Sequence, residues 1–211
     1  MAISVIVTIF SLVILLFSVI IHELAHGYVA YSLGDPTAKY AGRLTLNPLN
    51  HLDAFGSVIL PLLLFIMGSP VLFGWAKPVP INPYNFKDQK NGEIKVSAAG
   101  PLSNFSLAIF FGIILRFLPQ SVVVANPGIS IALTYIVSIN IWLTLFNLIP
   151  IPPLDGSWIL FHFLPQRFEN IKMFLRQYGM MILVFLILFG GYYWYYLTNL
   201  IFHIITGKIL T

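Results

Sequence analysis

The sequence has no cysteine among its 211 residues. That excludes disulfides, thiolate metal sites and a cysteine nucleophile. Any metal is left to nitrogen and oxygen ligands from His, Asp and Glu. Charge is almost as scarce: Asp, Glu, Lys and Arg make up 9% of the chain, against about 25% in a soluble domain. The formal net charge is only +4, and the cations fall in loops, which is a pattern of membrane topology rather than of nucleic-acid binding. Residues 1–21 carry no Lys or Arg, so the charged start of a secretory signal is missing and the first apolar run reads as a retained helix. There is no internal repeat and no low-complexity linker, so residues 1–211 are expected to form a single domain.

Apolar residues dominate instead. They make up 58% of the chain, with 18 Phe, 10 Tyr and 4 Trp, as lipid-facing and interfacial positions require. The fold class expected is an all-α polytopic membrane protein, with about four full transmembrane helices at roughly 3–33, 94–118, 129–149 and 178–205. Residues 54–68 are apolar but too short to span and contain Pro61, so a re-entrant or partial segment is expected there. Small membrane-associated β-strands are also expected. Leu44-Thr45-Leu46 alternates before the turn Asn47-Pro48-Leu49-Asn50, and prolines at 78, 80 and 83 force residues 74–86 to be extended. Residues 87–95 read as a polar, basic link.

If 54–68 does not cross, one face collects the end of the first span, the start of the second, the end of the third and the start of the fourth. Lys39, Arg43, Lys77, Lys87, Lys90, Lys95, Arg167, Lys172 and Arg176 lie there, and only Arg116 and Lys208 lie opposite. The positive-inside rule makes the first face cytoplasmic, and the expected location is the cell (inner) membrane.

The strongest chemical signal is His22-Glu23-Leu24-Ala25-His26. On a helix, His22 and His26 lie one turn apart on one face and can share one zinc ion, with Glu23 beside it to hold a proton. Ionisable groups at membrane depth cost free energy and mark function. Zinc with two histidines wants a third protein ligand and an open position. Asp155 is the best placed candidate, because it follows a proline-broken stretch at the same depth, where irregular backbone implies a cavity or burial in protein. Zn2+ with Asp155 and Glu23 sums to zero charge, which suits a poorly hydrated site. The other reading makes Asp155 a helix N-cap.

His22-Glu23-xx-His26, followed far downstream by Asn147-xx-Pro150-x-Pro152-x-Leu154-Asp155-Gly156, resembles the site-2 protease family of intramembrane zinc metalloproteases. Ala99-Gly100-Pro101-Leu102-Ser103-Asn104 matches that family's glycine–proline motif at the start of the next core helix. The segment Gly74-Trp75-Ala76-Lys77-Pro78-Val79-Pro80 is similar to one in compact prokaryotic members, and no stretch has the length or polarity of an inserted PDZ domain. The resemblance implies one Zn2+ per chain held by His22, His26 and Asp155. It implies Glu23 as the catalytic acid/base and Asn147 as a catalytic polar group near the oxyanion. It further implies cleavage within or near a transmembrane segment of another membrane protein, in regulated intramembrane proteolysis. The partners would be that substrate and the lipid bilayer, with no nucleic acid.

Asn104, His51 and Asp53 are possible cavity-lining residues. Asn104 also suits an interhelical hydrogen bond, and His51 and Asp53 suit an interfacial turn. Gly100 suits close helix packing more than chemistry. The extended stretches near 40–46 and 76–83 are candidates for strand pairing with an unwound substrate. Two rival functions share the motif: a membrane-embedded zinc-binding scaffold or metal transporter without proteolysis, and a peptidase whose third ligand is Glu169.

Overall fold

The computed structural model describes residues 2–67 and 76–210. The expected motif residues Gly74 and Trp75 lie outside them. Helix α1 runs Ala2–Ser32. Its sequence is mostly apolar, and its ionisable residues all fall in the last three turns. It stops where Gly34 takes φ +111, a conformation a Cβ would disfavour. The Asp35 N–H then reaches the Ala30 carbonyl and the Gly34 N–H the Tyr31 carbonyl, which satisfies the last carbonyls of the helix.

The turn α2 (Thr37–Tyr40) leads to a 3-10 turn at Pro48–Asn50, then a π-helical turn at Ala54–Ile59 capped by Asp53 and the short α3 (Leu60–Ile66). This apolar stretch is helical but not among the helices long enough to cross a membrane. Residues 76–82 follow as a strap with neither helix nor strand, and the run expected to be extended through residue 86 is broken by a 3-10 turn at Pro83–Asn85, where Pro83 sits at the turn's start and needs no N–H. Asp88 caps α4 (Gln89–Arg116), accepting from the Asn91 N–H. The expected polar link is therefore largely the opening turns of that helix. Pro119 precedes α5 (Gln120–Ala125), and Pro127 opens α6 (Pro127–Asn147). A proline loop then leads to α7 (Asp155–Phe163) and the long α8 (Glu169–Thr206), closed by Gly207 at φ +71.

The expected strands do not form: no strand occurs among the described residues. Their backbone groups are spent elsewhere. In the strap, the N–H of Lys77 goes to the His51 carbonyl, that of Val79 to Glu23 Oε2 and that of Asn82 to Asp35 Oδ2, while Pro78 and Pro80 have none. Around 42–50, the Thr45 carbonyl accepts from His51 Nε2 and the Gly42 carbonyl from Asn50 Nδ2. A chain whose donors are bound to side chains builds no ladder.

Four helical stretches are long and apolar enough to span a membrane: Ile6–Ser32, Asn91–Arg116, Pro127–Asn147 and Gln166–Thr206. Their outer faces expose large apolar side chains such as Phe185, Leu188, Phe189 and Tyr193, which water would penalise and lipid does not. Contacts fix their directions. His22 meets Asn104 and His26 meets Val96, so α4 runs antiparallel to α1. Asn104 meets Asn140 and the Pro101 carbonyl accepts from Thr144 Oγ1, so α6 runs antiparallel to α4. Arg116 at the end of α4 donates from Nη1 to the Ile204 carbonyl near the end of α8, and Gly179 near the start of α8 lies against the Pro152 carbonyl of the loop at the site end, so α8 runs with α4. One end of the bundle thus gathers the end of α1, the start of α4, the end of α6 and the start of α8. At the other end Ala108, Leu115, Leu133, Val137, Ile141 and Phe202 form a dry apolar core.

Candidate metal centre

The HExxH residues occupy the late turns of α1, buried against α4. His22 and His26 are each 6% exposed. Their Nε2 atoms lie 3.1 Å apart, and Asp155 Oδ2 lies 3.1 Å from one and 3.2 Å from the other. These are the one set of three potential metal ligands grouped together among the described residues. Asp155 stands in the first turn of α7, whose N-cap is Leu154 with no side-chain cap, so the carboxylate is not used as a cap. Its Oδ2 is buried without a hydrogen-bond partner.

The protons explain why. His26 Nδ1 lies 2.7 Å from the Val96 carbonyl, which can only accept, so Nδ1 carries the hydrogen. His22 Nδ1 lies 2.7 Å from Asn104 Oδ1, and the Asn104 NH2 is already committed to the Ser18 carbonyl and Asn140 Oδ1. In both neutral rings Nε2 then offers a lone pair. Three acceptors face one another with no hydrogen between them, which is stable only around a cation. Tetrahedral zinc at about 2.0–2.1 Å from N and O ligands spaces them about 3.3–3.4 Å apart, close to the observed triangle. Zinc fits these residues.

Gly100 packs directly on the triangle: a Cβ there would overlap His26 Nε2 and His22 Nε2 and Cε1. Its expected role in helix packing is thus also a role at the centre, a role that the glycine in Gly100-Pro101 signals only once α4 is laid beside α1. Val96, Gly100 and Asn104 are successive one-turn positions of α4, and all three face the two histidines.

The centre opens into a cavity of about 460 Å³ lined by His22, Glu23, His26, Asn147, Asp155 and Trp158, with Pro78 and Val79 of the strap. Glu23 Oε2 accepts from the Val79 N–H at 2.7 Å. Asn147 donates one N–H to the Leu143 carbonyl at 3.0 Å. Three candidates fall elsewhere. Asn104 is fully buried and lies behind His22, not on the cavity wall. His51 is fully buried beneath the strap, bonded to the Thr45 carbonyl. Asp53 caps the π-helical turn through the N–H groups of Phe55 and Gly56. Glu169 pairs with Lys172 at 3.4 Å and is not in the ligand group. Asn140 was not anticipated from sequence, because a lone Asn in an apolar helix has no motif around it.

Four membrane-length helices around a buried triangle of two histidines and one aspartate, with a glutamate beside it, define a membrane-embedded metallopeptidase. Comparison with known proteins is consistent with this. The family model for Peptidase family M50 matches residues 119–190, the part holding Asn147 and Asp155. The chain is 40% identical over 185 residues to "Putative zinc metalloprotease YwhC" of Bacillus subtilis, covering 85% of this chain and 80% of that protein. It is 29% identical over 174 residues to "Putative zinc metalloprotease Rip2" of Mycolicibacterium smegmatis, covering 82% and 64%. It is 33% identical over 167 residues to "Putative zinc metalloprotease MJ0611" of Methanocaldococcus jannaschii, covering 74% and 72%. No solved structure matches the chain. The protein belongs to peptidase family M50, the site-2 protease family of zinc metalloproteases.

Proposed function

We propose that this zinc metalloprotease hydrolyses a peptide bond within or near a transmembrane segment of another membrane protein, from a site opening to the cytoplasm. The observation that carries the reading is the ligand triangle of His22, His26 and Asp155, set at the end of four apolar helices and joined to a cavity holding Glu23. Zinc bound there would polarise a carbonyl and lower the pKa of water from 15.7 toward about 7. Glu23 takes a proton from the attacking water as its oxygen bonds to the carbonyl carbon, and returns that proton to the nitrogen as the C–N bond breaks. The Val79 N–H holds one oxygen of Glu23 and leaves the other for that proton. Asn147, with one N–H already placed on Leu143, keeps a second for the developing oxyanion.

A helical substrate shields its own amides, so the scissile region must unwind. The segments at the site end of the bundle contain nine of the chain's 11 cations, which supports a cytoplasmic orientation in the cell membrane.

The test uses full-length wild type, Glu23→Gln and Asp155→Ala with a single-span substrate, reading zinc content and cleavage side by side. Glu23→Gln is expected to keep zinc and lose cleavage by about 10²–10⁴-fold. Asp155→Ala is expected to lose both. Cleavage surviving Glu23→Gln would overturn the assignment of Glu23, and full zinc in Asp155→Ala would overturn that of Asp155. Metal flux through Glu23→Gln without proteolysis by the wild type would instead favour a transporter.

A further inference from the structure

Behind His22 lies a chain of buried amides drawn from three helices. Asn104 of α4 is 0% exposed, Asn140 of α6 1%, and Ser18, one turn before His22 on α1, 4%. Both hydrogens of the Asn104 amide are spent, on the Ser18 carbonyl at 3.1 Å and on Asn140 Oδ1 at 2.8 Å. Both hydrogens of the Asn140 amide are spent as well, on Ser18 Oγ at 3.0 Å and on the Ile136 carbonyl at 2.9 Å. Each amide is anchored by a backbone carbonyl, which has no proton to give. Turning either amide over would set oxygen against oxygen in a buried, low-dielectric place, at a cost of about 1–3 kcal/mol for the unmade bond. The arrangement therefore has one sense. Asn140 presents its oxygen to Asn104, Asn104 presents its oxygen to His22, and the His22 proton sits on Nδ1.

We propose that Asn140 is a positioning residue for the metal centre, setting the tautomer of His22 through Asn104 so that the Nε2 lone pair faces the metal. The inference rests on the zinc reading of the His22–His26–Asp155 group. Without Asn140, the Asn104 amide keeps only the Ser18 anchor. Turning it over then costs one lost bond instead of two, and the turned amide offers an N–H to the ring, which drives the ring proton to Nε2 and blocks ligation. An asparagine serving only as an interhelical contact would change stability and leave zinc affinity alone.

The test measures zinc affinity of the detergent-solubilised full chain by competition with a chromophoric chelator. The proteins are wild type, Asn140→Leu, Asn104→Ala and the double variant. Asn140→Leu is expected to bind zinc about tenfold more weakly, and Asn104→Ala by about 10–100-fold, the usual range for a group that orients a metal-binding histidine. The double variant should be no weaker than Asn104→Ala alone, because Asn140 acts only through Asn104. Asn140→Asp, present as the neutral acid at this depth, keeps an acceptor toward Asn104 and a proton for the Ile136 carbonyl, and should return affinity to within about threefold of wild type. Wild-type affinity in Asn140→Leu would overturn the proposal, as would a cost that adds in full to that of Asn104→Ala. Should Asn140→Leu not fold, Asn140→Ser, too short to reach Asn104, carries the same expectation. A wild type that binds no zinc would sink the metal reading itself, whereas zinc bound without cleavage would sink only the protease reading.

Discussion

The backbone N–H of Val79 points at the carboxylate of Glu23, 2.7 Å from Oε2. Val79 lies between Pro78 and Pro80, so this is the one N–H in the Pro-Val-Pro run, and it is spent on the residue proposed to move the proton. The strap is held in place for the task. Arg43 is buried, and its Nη2 donates to the carbonyls of Lys77 and Pro78.

Val79→Pro removes that donor while keeping the extended backbone. The bond is charge-assisted, so its loss should lower kcat by about tenfold or more. Val79→Ala should stay within about threefold of wild type, since it keeps the N–H. Zinc content should match wild type in both, which separates loss of Glu23 alignment from damage to the metal centre.

Asp35 ties the first loop to the far end of the strap. It is fully buried and accepts from the N–H and hydroxyl of Thr37, the Asn82 N–H and the Asn85 amide. Burial alone pushes its carboxyl up, but the Thr37, Asn82 and Asn85 donors outweigh burial and hold it below its ordinary value of 3.8. A depressed native pKa means the unfolded chain binds the proton more readily. The stabilisation is therefore fully present above the ordinary value and is lost as pH falls below it toward the native one. Thermal unfolding in detergent should show wild type losing stability on acidification through this window. Asp35→Asn should start lower by about 2–3 kcal/mol and show a flatter acid limb.

Gly100→Ala is expected to abolish zinc binding although it alters no ligand. Its Cβ would stand against the two Nε2 atoms, and α4 cannot retreat, because Asn104 and Val96 on the same face bond the same two histidines. Zinc affinity should fall by at least about 100-fold, read by metal analysis after gel filtration. Retained zinc would show that the helices separate more easily than this packing implies.

Chelation offers a fourth check. With the metal removed, the lone pairs of His22, His26 and Asp155 face one another unscreened, so Tm should fall. A ligand present at about 1,000 times its Kd stabilises by about 4 kcal/mol. His26→Ala should start near the chelated value and respond little to chelator.

The four spans and the pairing of HExxH with Asp155 were legible because both depend on local signals: long apolar runs, an i, i+4 histidine pair and a proline-rich turn before Asp-Gly. What stayed hidden depends on partners far apart in the chain. Leu44-Thr45-Leu46 and Lys77-Pro78-Val79-Pro80 looked like strands by composition, yet Glu23, Asp35 and His51 take up their backbone groups. His51 and Asp53 could serve the site by chemistry or an interfacial turn by context, and the structure gives them the turn: one braces it and the other caps the next one. Asn140 carried no signal, because its meaning comes from Asn104 on another helix, and Gly100 gained its second role only from the approach of α1.

Val96, Gly100 and Asn104 recur at single-turn intervals along α4. A one-residue insertion ahead of Val96 would swing that whole stripe by about 100° relative to the turns of α4 before it. The carbonyl behind His26, the gap beneath both rings and the amide behind His22 would leave together. The proposed ligands come from α1 and α7, so the chain can be silenced by the phase of a helix that supplies none of them.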